Sequence, residues 1–225
     1  MPTILAIDLS TEACAVGLLY QNSMHEFFEV APRRHAELVI TVVDGLLVNA
    51  GITLKQVDAI AFGCGPGSFM GVRTATAVAQ GLAFGGDCPV IPVSTLQTLA
   101  QTIYEKNQAD YVLAGWDARM GEIYWGAYRL GENGLMQSVI RDRLDKPAGI
   151  EITQNRWLAA GNAWKIYDSQ LPPRVKNQFF SVESDAYPHA QAMLTIARER
   201  YNSGALFPPE KAEPVYLRDK VAHVS

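Results

Sequence analysis

The chain has 225 residues, 48% of them hydrophobic and 19% charged, which predicts a buried core and excludes a disordered segment. Net charge is −4, and the longest basic stretches are Arg33-Arg34 and the "RDR" at 141–143, so tight binding of RNA by the chain alone is not expected. Three separated cysteines favour neither a disulfide framework nor a zinc site, and the start "MPTILAIDLS" lacks the basic region of a signal peptide; a cytoplasmic protein with no membrane span is expected.

In chain order, "TILAI" reads as a strand ending at Asp8, followed by the turn "LSTEA". "CAVGLLY" and "MHEFFEV" complete a three-stranded antiparallel meander. A helix over about 33–50 is stopped by Gly51. "VDAIAFG" is a short buried strand, and the glycine loop of "FGCGPGSFMGVR" at 62–73 leads into a helix over about 71–86. "PVIPV" is the next strand. "STLQ" at 94–97 predicts a capping box, in which Ser94 caps the Gln97 amide and the Gln97 side chain reaches back; a helix to about 104 follows. The order βββαβαβ, then α, predicts a mixed sheet with helices packed on it.

The pattern then restarts. "YVLAGWDARMGEIYWGAYRL" repeats the plan of "TILAIDLSTEACAVGLLYQN": strand, aspartate (Asp8, Asp117), polar turn, strand. A duplicated unit is expected. The second half continues with a strand near 135–141, a Pro/Gly link at 147–149, strand and helix start in "WLAAGNAW", and a helix in "PHAQAMLTIARERYN". The tail "EKAEPVYLRDKVAHVS" has no clear period.

The doubled βββαβα plan resembles the α/β actin-like, Hsp70 and sugar-kinase fold (ASKHA, RNase H-like). "IDLSTEACAVGL", "GCGPGSFMGVRTATAVAQGLAF", "DARMGEIYWGAY" and "AEPVYLRDK", in that order, resemble the bacterial TsaB (YeaZ) family. The resemblance implies two similar lobes, expected at 1–105 and 106–204, with the tail from about 205 to 225 packing back on the first. It implies a non-catalytic dimerisation subunit of the complex that makes N6-threonylcarbamoyladenosine at tRNA position 37. The implied partners are a TsaD-like catalytic paralogue and a TsaE-like ATPase, with tRNA met only through the complex and a homodimer when the chain is alone. A small actin-fold ATPase or phosphotransferase using Asp8 and Asp117 is the alternative.

The resemblance also bears on single residues. The catalytic paralogue's HxxxH metal pair falls here on Thr95 and Leu99, and His25, His35, His189 and His223 are scattered, so neither a metal site nor a catalytic residue is expected. No cofactor of its own is implied; a nucleotide belongs at most to a surface shared within the complex. By analogy with actin-like kinases, Asp8, Ser10, Thr11, Asp117 and Arg119 are vestigial phosphate or nucleotide contacts. A strand-end turn role for Asp8, and an acid partner for Arg119, stay open. The glycine loop lacks the GK[ST] ending of a P-loop and the GxGxxG pattern, so a tight strand-to-helix connection is favoured over a phosphate cradle.

On a helical wheel, Leu38, Val39, Ile40, Val42, Val43, Leu46 and Leu47 span roughly 200°, against about 100° for a helix lying on one sheet. In the next helix, Gly71, Ala75 and Ala79 form one small-residue stripe and Thr74, Ala77 and Gly81 a second. With the resemblance, this predicts a partner interface drawn from His35, Leu38, Val39, Val42, Val43, Leu46, Gly71, Arg73, Thr74, Ala77, Val78 and Gly81.

Overall fold

The computed structural model describes residues 1–31 and 34–218, with His35 and Ala36 described at the backbone alone. The first sheet contains β1 (Ile4–Asp8), β2 (Ala13–Tyr20), β3 (Ser23–Val30), β4 (Ala59–Gly65) and β5 (Val90–Ser94), in the order β3-β2-β1-β4-β5. The first three strands form the antiparallel meander; β4 runs parallel to β1 and β5 parallel to β4. Helices α1 (His35–Ala50), α2 (Phe69–Gly86) and α3 (Thr95–Asn107) are interleaved with them. The second sheet repeats the plan with β6 (Tyr111–Asp117), β7 (Ile123–Leu130), β8 (Met136–Asp145), β9 (Trp157–Ala160) and β10 (Phe179–Glu183), in the order β10-β9-β6-β7-β8. Its helices are the short α4 (Ala163–Ile166) and α5 (Pro173–Lys176), then α6 (Ala190–Asn202). This is the expected actin-like α/β fold of two similar sheets.

Local chemistry sets the element ends. Gly51 adopts φ 67° and its amide closes α1 on Leu47 O and Val48 O, the left-handed stop that only glycine takes without strain. Ser68 caps α2 by accepting from the Gly71 amide at 3.0 Å. Ser94 caps α3 by accepting from the Gln97 amide at 3.2 Å, but the capping box is only half made. The Gln97 side chain instead donates to Met136 O at 2.9 Å and accepts from Arg200. A carbonyl and a guanidinium from the second half outbid the solvent-side return bond.

Both faces of the first sheet are buried. Leu5, Ile7, Val16 and Phe62 face α1 and α2, while Ile4, Ala6, Ala59 and Ala61 face the other way. The helix on that second face is α6, through Ala190, Met193, Leu194 and Ala197. Conversely α3, which precedes the second sheet in sequence, packs on that sheet, with Leu96, Leu99 and Ile103 against Val112, Ala114 and Leu158. A division at 105/106 therefore separates the two sheets but not the two cores: each half lends a helix to the other. Phe207 makes an isolated antiparallel bridge to Val90, Gln80 donates to Pro209 O at 2.9 Å, and the Val215 amide donates to Cys64 O at 2.8 Å, so the described part of the tail runs along the first lobe. The rest of the tail, 219–225, lies outside the described residues.

Two of the four glycines of α2, Gly71 and Gly81, make a matched test of this packing. A Cβ on Gly71 would fall 1.9 Å from Leu9 O, whereas one on Gly81 would meet nothing within 4 Å. Gly71→Ala is expected to cost about 3 kcal/mol through overpacking, lowering the melting temperature by roughly 6–12 °C. Gly81→Ala is expected to raise stability by up to about 1 kcal/mol from helix propensity. Thermal melts of the two variants beside the parent check both signs.

Candidate functional site

The two aspartates expected from the repeat end equivalent strands and make the same turn. Asp8 Oδ1 accepts from the Ser10 amide at 2.8 Å, and Asp117 Oδ1 accepts from the Arg119 amide at 2.8 Å. The strand-end reading is what the bonds support for both. Their surroundings differ. Asp8 is buried; its Oδ1 also takes a short bond from the Ser10 hydroxyl, and its Oδ2 has no partner. Ser10 Oγ meets Thr95 Oγ1 at 2.7 Å, so the Thr95 position serves this network. Loss of water around the carboxylate outweighs the Ser10 and Thr95 hydrogen bonds and pushes Asp8 up to about 6. Asp117 is engaged on both oxygens: Tyr167 donates to Oδ1 at 2.7 Å and the Arg119 guanidinium lies 3.1 Å from Oδ2. Its own amide donates to Asn162 Oδ1 at 2.8 Å.

Between the lobes lies a cavity of about 780 Å³. Four of the five expected contacts, Ser10, Thr11, Asp117 and Arg119, line it. Asp8 does not; it sits beneath Ser10. Phe69, Arg73, Trp116 and residues 215–218 complete the wall. Neither acid is presented to a metal–phosphate group in the cleft: Asp8 is buried beneath Ser10, away from the cavity lining, and Asp117 is held by Tyr167 and Arg119. They do not fit that role. Among the described residues, no group of three or more His, Cys, Asp or Glu side chains is placed to hold a metal ion. No helix among them is long and apolar enough to cross a membrane. Cys14, Cys64 and Cys88 are free and buried; burial pushes the first and last up to about 11 and Cys64 up to about 12, which leaves all three as thiols at neutral pH.

The glycine loop closes tightly on the first turn. The Ser68 amide donates to Ser10 O at 2.7 Å, and a Cβ on Gly67 would sit 2.3 Å from that same oxygen. The glycines allow backbone to lie on backbone, as a tight connection requires.

The outer helices sort the expected interface residues into two sets. Val39, Val43 and Gly71 face inward, into the lobe's own core, and cannot offer a partner surface. Leu38, Val42, Leu46, Thr74 and Val78 are half-buried, while Arg73, Ala77 and Gly81 are exposed. The His35 side chain lies outside the described residues. Of the two small stripes in α2, the one with Gly71, Ala75 and Ala79 is core, and the one with Thr74, Ala77 and Gly81 looks outward. The helical spacing of that outer stripe also contains Met70 and Phe84, 68% and 59% exposed, which the sequence reading missed. On α1, Ile40 and Val48 are the exposed apolar residues. Arg73 is not free on this face: it lies 3.3 Å over the Phe69 ring, and its Nε donates to Tyr216 OH at 2.7 Å.

Asp8 binds its proton more tightly in the folded chain than in the unfolded one. Folding therefore takes up a proton between about pH 4 and pH 6, and this group's contribution to stability falls as pH rises through that window. Asp8→Asn removes the titration. Its stability relative to the parent is expected to rise by about 2–3 kcal/mol between pH 4 and pH 7, measured by urea unfolding at each pH. A difference that stays flat with pH overturns the assignment.

Comparison with known proteins agrees with this geometry. A family model described as TsaD, tRNA N6-adenosine threonylcarbamoyltransferase, matches residues 27–224. The chain is 40% identical to the tRNA threonylcarbamoyladenosine biosynthesis protein TsaB of Escherichia coli, with 97% of this chain and 96% of that protein covered. It is 37% identical to the Haemophilus influenzae protein of the same name, with 97% and 94% covered. Among solved structures it is similar to YeaZ from Pseudomonas aeruginosa, at 41% identity and a TM-score of 0.91 over 96% of this chain and 100% of that one. Relatives matched over nearly their whole length and a shared fold place this chain in the TsaB (YeaZ) family.

Proposed function

We propose that this chain acts in tRNA threonylcarbamoyladenosine biosynthesis as a non-catalytic assembly subunit that docks on a TsaD-like catalytic paralogue. The names of its relatives support the pathway. The observation that carries the assembly role is the outer stripe of α2. Thr74, Ala77 and Gly81 form a strip of small residues with the exposed Met70 and Phe84 at its two ends, and α1 carries the exposed Ile40 and Val48. Small residues let a second helix come within about 8–10 Å, axis to axis, and the large residues at either end supply the apolar anchors. The burial of Asp8 away from the cavity and the internal pairing of Asp117 support the non-catalytic part of the reading. In this scheme the chain pairs with itself when alone, a TsaE-like ATPase joins the assembled complex, any nucleotide sits at a shared surface, and tRNA is met through the complex in the cytoplasm.

Mixing the chain with its TsaD-like paralogue and measuring stoichiometry by size exclusion with light scattering tests the pairing. Ala77→Arg places an unpaired charge in the strip at a cost of several kcal/mol. It is expected to weaken both self-association and paralogue capture by about 100-fold or more, since each 1.4 kcal/mol is a factor of ten, while the circular dichroism spectrum stays unchanged. A folded variant that still captures the paralogue overturns the assignment of this face. Hydrolysis of Mg-ATP by the pure chain that disappears in Asp8→Ala overturns the non-catalytic reading.

A further inference from the structure

Residues 215–218 cross the cavity from one lobe to the other. On the first lobe, the Val215 amide donates to Cys64 O at the end of β4, at 2.8 Å. Tyr216 OH accepts from Arg73, whose guanidinium is held on the Phe69 ring. On the second lobe, Arg218 Nη2 donates to Glu122 Oε2 at 2.6 Å and to Ala118 O at 3.1 Å, in the turn between β6 and β7. All four residues line the cavity.

The turn that Arg218 grips is itself strained. Arg119 and Met120 have φ of 62° and 56°, the left-handed region that side chains other than glycine adopt at a cost. A second element that holds the carbonyl beside them keeps that conformation populated. The Arg218–Glu122 pair is neither fully exposed nor sealed, with side chains 18% and 27% exposed. Val215 and Tyr216 are 46% and 50% exposed. A segment anchored at both ends but half-solvated along its length belongs to the part of a structure that opens locally without global unfolding.

We infer that residues 215–218 form an interlobe strap that gates the cavity: with the Arg73–Tyr216 and Arg218–Glu122 pins made, the strap closes over the cleft, and release of Arg218 opens it to solutes. The strap is built from this chain alone and stands whether or not α2 docks a partner.

Tryptophan fluorescence in the full-length chain reads the gate. Trp116 lines the cavity and is 7% exposed, whereas Trp125, Trp157 and Trp164 are at most 2% exposed, so acrylamide quenching reports on Trp116 first. Arg218→Glu is expected to raise quenching and to speed hydrogen exchange at the Val215 amide by about tenfold. The reversed pair, Arg218→Glu with Glu122→Arg, restores the ion pair but not the bond to Ala118 O, and returns both part of the way to the parent values. Unchanged quenching in Arg218→Glu, or quenching as high in the reversed pair as in Arg218→Glu, overturns the gate. Should Arg218→Glu fail to fold, Arg218→Gln removes the charge alone and is held to the same two outcomes. A Val215 amide that exchanges at the free-chain rate in the unaltered protein overturns the strap itself.

Discussion

The exchange of covering helices between the two sheets is the constraint on which the rest of the molecule depends. The first sheet would expose Ile4, Ala6, Ala59, Ala61 and Ile91 if α6 did not lie on them, and the second would expose Val112, Ala114 and Leu158 without α3. A sheet buried on both faces has no stable half-covered state. The first sheet's α6 side mixes the small Ala6, Ala15, Ala59 and Ala61 with Ile4, Leu19 and Ile91. A Cβ on Gly17 would meet Ala190 Cβ and Leu194 Cδ1 at 3.0 Å, so helix and strand lie in near contact. Polar bonds then fix the crossing: Arg200 of α6 reaches Pro92 O and the Gln97 side chain, and the His189 amide donates to Thr102 Oγ1. The Ser94 hydroxyl of the first sheet and the Tyr128 hydroxyl of the second converge on Asp142 of the second sheet. The cleft inherits its shape from this interlock, since Thr95, the first residue of α3, is what Ser10 Oγ touches.

The two halves share a plan but have drifted in what they do with it. Both keep the aspartate turn. The first half retains a full α1 and α2 between its strands, whereas the second bridges β8 to β9 with only a single 3-10 turn at Pro147–Gly149 and β9 to β10 with α4 and α5. Among the described residues, the long helices with exposed apolar surface, α1 and α2, lie on the first lobe. In the second lobe the region after β9 turns inward. Trp164 packs where a Gly115 side chain would stand, and Asn162 takes the Asp117 amide. The hydrogen-bonding capacity that would face a ligand is spent on holding the lobe together.

Much of this was legible because it is local. The meander, the stop at Gly51, the Ser94 cap and the repeat around Asp8 and Asp117 each rest on a few neighbouring residues. What was not legible is which partner an amphipathic element chooses. The period of α6 marks a face to bury but not the sheet that will cover it. The same gap divides the two stripes of α2. Gly71 and Ala77 are both small and both regularly spaced; only the approach of Leu9 O to Gly71 tells inside from outside. On α1, Val39 and Val43 sink fully into the core while Val42 between them stays half-buried, a distinction of one helical step that hydrophobicity alone does not carry. Residues 215–218 fall in the family-like segment "AEPVYLRDK", but their bonds were not readable, because they are made to Cys64, Arg73 and Glu122, far away in the chain and with no period between them.

The glycine loop joins these parts. Its backbone lies on the first turn through the Ser68 amide and Ser10 O, and Gly71 brings the first turn of α2 against Leu9 O. The N-terminus of α2 is thereby fixed to the strand end that carries Asp8, with Gly71 roughly 60–120° round the helix from Met70, Thr74 and Ala77. Tilting α2 to accommodate a visitor on its outer face would separate the Ser68–Ser10 bond and open a gap at a position where no side chain is available to fill it. Cores of this density respond to such a shift as a whole and not by gradual bending. The outer stripe is thus presented on a helix that is held rigid at its N-terminus. A rigid face loses little conformational entropy when it is covered, so more of the contact energy remains as affinity. The close approach that glycine permits at 67 and 71, which at first suggests a cradle for phosphate, serves here to stiffen the outer surface of the helix.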